Sequence, residues 1–318
     1  MNIVVLDGKA LNPGDLSWEE FESLGNCIVY ERTSENETLQ RIADAKIVLT
    51  NKTLISAEVI RQAPKLKYIG VLATGYNVVD TAAAKDAGIV VTNIPAYSTA
   101  AVAQMVFALL LEVCHHVGEH NHSVHSGEWI RSADFCFWNY PLIELAGKTM
   151  GIIGLGQNGK AVAKIAVAFG MKVLSYTRTP HPMMELPEHK FVTLNELLAE
   201  SDVISLNCPL TLETAGMINK DTLAKMKRSA ILINTARGGL VIEKELREAL
   251  DNGVISAAAA DVVSHEPMLA DNPLLGAKNM IITPHIAWAP VDCRVRLMDT
   301  AVKNLKRFLE NNPINVVN

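Results

Sequence analysis

The sequence predicts an α/β protein built from two doubly wound parallel sheets, and three observations carry that prediction. Short β-branched runs alternate with helical stretches along the whole chain, and the alternation restarts once, near Lys148. The strand-like runs are apolar throughout, not alternating, as strands covered on both faces are. At 318 residues the chain has room for about two domains of roughly 150 residues each.

In the first part the expected strands are IVVLD (3–7), KIVLT (46–50), YIGVLA (68–73) and IVVTN (89–93). After Pro95 a long helix is expected from about Ser98, because Val102, Val106, Leu109 or Leu110, Val113 and Val117 share one stripe at helical period. The second set of strands is TMGIIG (149–154), KVLSYT (172–177), VISLN (203–207), AILINTA (230–236), ISAAAADVV (255–263) and MIITPH (280–285). Six strands with intervening helices suit one nucleotide-binding sheet. A last helix is expected over 290–311. Its place after the second set suggests that the tail returns to the first domain, giving a discontinuous domain 1–97 with 290–318 and an inserted domain 98–289.

Composition narrows the function. With 29 Lys plus Arg against 34 Asp plus Glu, a net charge of −5 and 49% hydrophobic residues, the chain can bury a sizeable core, and disorder is excluded as its main state. No basic stripe or block appears, so neither a nucleic acid nor an anionic membrane surface is an expected partner. Five cysteines stand singly with no CxxC pair, which fits a reducing cytoplasm. The apolar start stops at Asp7 with no basic residues before it, so it reads as a strand and not as a signal peptide. The most apolar stretch, Ala101 to Cys114, contains Gln104 and Glu112 and is shorter than the roughly 20 residues a bilayer span needs.

The segment MGIIGLGQNGK (150–160) sets a G-x-G-x-x-G between an apolar strand and an amphipathic helix. Gly154 permits the tight turn, Gly156 lets a pyrophosphate approach the backbone, and Gly159 allows close helix packing; the helix start at Gln157 and Asn158 offers amide donors and positive dipole. The next strand should end in an acid that bonds the ribose of NAD. It ends instead in Thr177-Arg178-Thr179, a neutral hydroxyl beside a guanidinium, which favours a 2′-phosphate and hence NADP(H), with NAD(H) still possible.

In such a sheet the ligand crevice lies beyond the carboxyl ends of the strands. Arg237 follows AILINTA, Glu266 follows ISAAAADVVSH, and His285 closes MIITPH. An imidazole paired to a carboxylate can serve as an acid near neutral pH, and an arginine fork can hold a 2-keto acid through its carboxylate and carbonyl oxygens. Each residue alone also suits a bland role: Arg237 a surface ion-pair partner, Glu266 a turn residue before Pro267, His285 a helix cap. Joint placement at three strand ends favours the catalytic set.

With those residues in view, the chain resembles the D-isomer-specific 2-hydroxyacid dehydrogenases, and most the glycerate dehydrogenase or hydroxypyruvate reductase branch. LATGYNVVD, STAAVAQMVFALLLE, GKTMGIIGLGQNG, LNCPLTLETAGMIN, LINTARGGLV, ADVVSHEP and TPHIAW occur in the family's order over essentially the whole length. The resemblance implies a Rossmann-type cofactor domain inserted into a flavodoxin-like substrate domain, with reversible reduction of a short 2-keto acid, hydroxypyruvate or glyoxylate, in a usually homodimeric enzyme. It implies Arg237 as the substrate-orienting arginine and Glu266 as the partner of the acid/base His285. It also implies Leu72, Ala73, Thr74 and Gly75 as a substrate-carboxylate loop, Asp261 as a nicotinamide contact, and Val102, Cys208, Pro209, Thr214, Thr235 and Ala236 along the cofactor cleft. Gln104 stands where many relatives have Glu. Trp288, counted with the substrate pocket, stands where many have Gly. Trp138 is carried over as a residue reaching toward a partner subunit.

Other readings were weighed against these. His116 and His120 share a helix face at i, i+4 spacing, but the further ligands of a metal site are not evident and none is expected. Cys208 reads as packing and not as a nucleophile. Some relatives of the fold act as dinucleotide-sensing corepressors, yet only 33 residues follow His285, leaving no long tail for that role.

Overall fold

The structure is a computed structural model describing residues 1–178 and 188–318. The chain divides into two compact units, 1–98 with 289–318, and 99–288. Both are doubly wound α/β sheets.

The first unit carries β1 (Asn2–Val5), β2 (Asn26–Val29), β3 (Ile47–Thr50), β4 (Tyr68–Val71) and β5 (Val90–Thr92), all parallel in the order β2-β1-β3-β4-β5. β3 and β4 are buried along their whole length, as their unbroken apolar runs require. β2 was not among the strands expected from sequence. It is an edge strand with most of its four residues exposed, so its apolar content carries no burial signature. The helix Val291–Leu309 packs on β4, with the Phe308 and Tyr68 rings 4.8 Å apart. Val317 N then donates to Val91 O.

The second unit has β6 (Thr149–Ile153), β7 (Lys172–Tyr176), β8 (His189–Phe191), β9 (Val203–Leu206), β10 (Ile231–Asn234), β11 (Ala257–Ala260) and β12 (Met280–Ile282). All are parallel in the order β12-β11-β10-β9-β6-β7-β8. The order reverses between β6 and β9, which makes their carboxyl ends a topological switch point. Sequence patterning gave six of these strands; β8, three residues of His-Lys-Phe at the sheet edge, is too short and too polar to register.

The long helix runs Thr99–His115; Val102 is buried on it, and Val106, Leu109, Leu110 and Val113 pack against the sheet and the helix Gln157–Ala168. Val117 departs from the expected stripe. His116 turns left-handed at φ 47°, and Val117 starts a second helix with 61% of its surface exposed. The Glu112 carboxylate accepts from Gly118 N and Tyr140 stacks on His116 at 4.2 Å, fixing the break without proline. His116 and His120 therefore do not share one continuous helix. No single helix among the described residues is long and apolar enough to cross a membrane, and all five cysteines are unpaired.

Candidate active site

The G-x-G-x-x-G turn follows β6 directly. Gly154 sits at φ 94°, a conformation that side chains disfavour, and a Cβ there would lie 2.6 Å from Cys208 N. A Cβ on Gly159 would lie 2.1 Å from Gly154 O, so the helix Gln157–Ala168 can meet the turn this closely only with glycine at that position. Gly156 is different: a Cβ there would meet no atom within 4 Å. That open space lies at the start of a helix with no side-chain cap and no acid in its first turn, where amides and dipole favour an anion.

Around the same edge two buried polar atoms lack a protein partner. Thr235 Oγ1, after β10, and Asn207 Oδ1, after β9, have no hydrogen bond. Buried polar groups normally find partners, so these orphans and the open space at Gly156 together fit a dinucleotide lying across the switch point. Val102 is buried on the long helix. Ala236 N donates to Asn234 Oδ1 (3.0 Å). The Thr214 hydroxyl is spent on its own turn, donating to Pro209 O (2.7 Å) and accepting from Thr211 N (2.8 Å). Burial pushes the Cys208 thiol up, and its Sγ lies 3.8 Å from Met217 Sδ, so it packs as an un-ionised thiol. Thr177 is half-buried after β7, and the exposed Arg178 pairs with Glu213 at 3.2 Å. Thr179 lies outside the described residues.

At the carboxyl end of β12, His285 Nδ1 meets Glu266 Oε2 at 2.7 Å. The carboxylate can only accept, so Nδ1 carries the hydrogen and Nε2 is the ring nitrogen left to face a ligand. Both side chains are partly exposed, 26% and 34%, so a ligand can reach them. The other Glu266 oxygen accepts from Val263 N at 3.3 Å, tying the carboxylate to its own loop.

The two loops bearing this pair are held from beneath. Asp261, fully buried after β11, accepts from Thr283 Oγ1 (2.6 Å), Ile286 N (2.9 Å) and Ala287 N (2.8 Å), so its carboxylate clamps the turn that holds His285 at φ 54°. Trp288, half-buried, ends this segment.

Arg237 is exposed. Among the described residues its guanidinium has no acidic partner, only its neighbour's Ala236 O at 2.7 Å. The surface ion-pair role is thus not realised, and a cation without a counter-ion stands ready for an anionic ligand. Its backbone is fixed by Asn234 Nδ2 donating to Arg237 O (2.9 Å). A Cβ on the next residue, Gly238, would lie 1.9 Å from Val263 C, so the arginine's loop lies backbone to backbone against the loop of Glu266.

In the first unit, Leu72 to Gly75 follow β4. Their carbonyls are engaged, Leu72 O by Asn51 Nδ2, Ala73 O by Ile94 N and Thr74 O by Asn93 Nδ2. The amides of Ala73, Thr74 and Gly75 donate to no protein acceptor among the described residues. A turn whose amides are free to donate at a strand end can hold a carboxylate, which accepts.

The meeting of His285 with Glu266 at a strand end and the three glycines of the turn are legible in the sequence. The clamp role of Asp261 and the anchoring by Asn234 are not, because their partners are loop atoms that only folding brings near. Among the described residues no three potential metal ligands cluster; His120 is taken up by Tyr140, His116 O and Asn139 N.

A family profile for the D-isomer specific 2-hydroxyacid dehydrogenase, NAD binding domain, matches residues 107–287. The chain is 57% identical to the hydroxypyruvate reductase of Blautia hydrogenotrophica over 100% of both chains. It is 42% identical to the glycerate dehydrogenase of Methylorubrum extorquens over 99% of this chain and 98% of the other. Its fold matches an NADPH-dependent glyoxylate/hydroxypyruvate reductase from Sinorhizobium meliloti, solved with NADP and malonate, at TM-score 0.85 and 29% identity, covering 99% and 96% of the two chains.

Proposed function

The chain belongs to the D-isomer specific 2-hydroxyacid dehydrogenases, and from that membership we propose that it reduces hydroxypyruvate or glyoxylate to the D-2-hydroxy acid, reversibly, with NADPH as the preferred reductant. The observation that carries the reading is the 2.7 Å contact between His285 Nδ1 and Glu266 Oε2 at the carboxyl edge of the sheet. A bound nicotinamide supplies the hydride. His285 protonates the carbonyl oxygen from Nε2, and in the reverse direction takes the hydroxyl proton there. Glu266 holds the ring in the tautomer this requires and stabilises the imidazolium. The Arg237 fork, which has no acidic partner among the described residues, orients the keto acid through its carboxylate and carbonyl oxygens. Gly154, Gly156, Gly159 and the helix start at Gln157 and Asn158 would hold the pyrophosphate, and the unpartnered Thr235 Oγ1 would be available to the dinucleotide.

The test is loss of reduced-cofactor absorbance with hydroxypyruvate, glyoxylate, pyruvate and oxaloacetate, each with NADPH and with NADH. The reading expects hydroxypyruvate or glyoxylate to give the highest kcat/KM. Turnover of none of the four with either cofactor overturns it.

The cofactor preference rests on Arg178. Its pair with Glu213 is exposed on both sides, 83% and 73%, and such pairs are weak, which leaves the guanidinium available to a 2′-phosphate. Arg178→Ala is expected to lower kcat/KM for NADPH by about tenfold, the worth of one charge-assisted hydrogen bond, and to leave NADH within about twofold. A wild type that uses NADH far better than NADPH refutes the preference.

We further propose a cytoplasmic homodimer. Trp129, Ile130, Phe135 and Trp138 are large apolar side chains left open to solvent on one stretch, and such patches mark association surfaces. A solution mass of one 34.6 kDa chain by light scattering refutes the dimer.

A further inference from the structure

Glu243 is a buried carboxylate with no part in the chemistry above. It opens the helix Glu243–Asp251 and is 9% exposed. Its Oε1 accepts from Ser264 N at 2.6 Å, and its Oε2 from Ser264 Oγ at 2.8 Å and from Asn272 Nδ2 at 2.9 Å. Asn272 is itself buried, and its Oδ1 accepts from Leu274 N at 2.9 Å, so the anchor is rigid on both sides.

Two of these three bonds go to one residue, Ser264, which stands two positions before Glu266 and next to Val263, whose amide binds Glu266 Oε1. On its other side the Val263–Ser264 backbone is pressed against Gly238, where even a Cβ would lie 1.9 Å from Val263 C and 2.3 Å from Ser264 N. The loop is therefore backed by backbone and pulled down by a carboxylate at the same peptide. A carboxylate is a costly group to bury for the sake of a turn that a neutral side chain could hold. A carboxylate makes stronger hydrogen bonds than a neutral acceptor, and both Ser264 bonds end on it.

We propose that Glu243 is a positioning residue for the acid/base pair: by holding Ser264 from below it sets the height and direction of Glu266, and through Glu266 the orientation of the His285 ring. It touches neither substrate nor cofactor. The inference rests on the reading of Glu266 and His285 as the acid/base pair, and its test separates the two.

The test is a double-mutant cycle on the full-length enzyme, measuring kcat, KM for the best keto acid, and dinucleotide affinity by fluorescence. Glu243→Ala is expected to lower kcat about tenfold, the scale of a slightly misplaced catalytic group, with dinucleotide affinity and keto-acid KM each within about twofold. Glu243→Gln, whose amide oxygen still accepts from Ser264 N, recovers most of that loss. In a Glu266→Gln background the same Glu243→Ala change costs less than about twofold, since residues acting through one another are not additive. If Glu243→Ala does not fold, Ser264→Ala enters the same cycle with a smaller loss of about threefold, again absent beside Glu266→Gln. A folded Glu243→Ala or Ser264→Ala with wild-type kcat overturns the proposal, and so does a loss that multiplies in full onto Glu266→Gln. An unimpaired Glu266→Gln single variant overturns the acid/base reading instead.

Discussion

Replacing His285 with alanine is expected to lower kcat by about 10³-fold in both directions, within the range that a positioned general acid contributes, while dinucleotide affinity changes little. Glu266 Oε2 takes the Nδ1 hydrogen at 2.7 Å, so Nε2 is the only ring nitrogen left for a substrate oxygen. Arg237 is read as orienting the substrate and not as its proton donor. Water must then protonate the nascent alkoxide, without the oriented donor. Both kcat for keto-acid reduction and kcat for hydroxy-acid oxidation are measured, because one imidazole serves as acid in one direction and base in the other. A His285→Ala enzyme within about fivefold of wild type in either direction shows that the proton comes from elsewhere.

The sequence exposed those parts of the site that depend on local chemistry. Gly154, Gly156 and Gly159 announce themselves because a strand, a tight turn and a helix start in eleven residues need small residues at fixed offsets. Arg237, Glu266 and His285 are visible because a polar residue just past an apolar strand has few structural reasons to be there. What sequence could not display are groups whose value lies in distant partners. Asp261 and Glu243 bond loops that begin 22 and 21 positions further along the chain, and nothing in their neighbourhoods marks them as different from a strand-end aspartate or a helix-opening glutamate. The same limit hid β2 and β8, edge strands whose exposed or polar residues give no period, and the break at His116, which is made by Glu112 bonding the Gly118 amide and by the ring of Tyr140.

Asp261→Ala is expected to be the most damaging single change to the fold of the second unit. The substitution orphans the amides of Ile286 and Ala287 and the Thr283 hydroxyl at a site with no solvent exposure. With each unsatisfied buried donor costing about 1–3 kcal/mol and some relief from local relaxation, a loss of about 3 kcal/mol is expected in urea unfolding of this unit. Activity falls as well, because His285 sits at φ 54°, a conformation costing a non-glycine residue about 1–2 kcal/mol. Once the clamp is gone the turn keeps the His285 bond to Glu266 and the His285 N bond to Thr283 O but loses three anchors against relaxing away. Asp261→Asn keeps one acceptor oxygen but turns an amide donor toward one of the three donors, so it falls between alanine and wild type in both measurements. The two roles open to this carboxylate part company here. A clamp makes stability and kcat fall together with dinucleotide affinity largely kept, whereas a group whose main task is to bind the nicotinamide carboxamide makes affinity fall first with stability intact. Three donors already converging on a carboxylate sealed from solvent favour the first outcome, and wild-type unfolding of Asp261→Ala in urea rules it out.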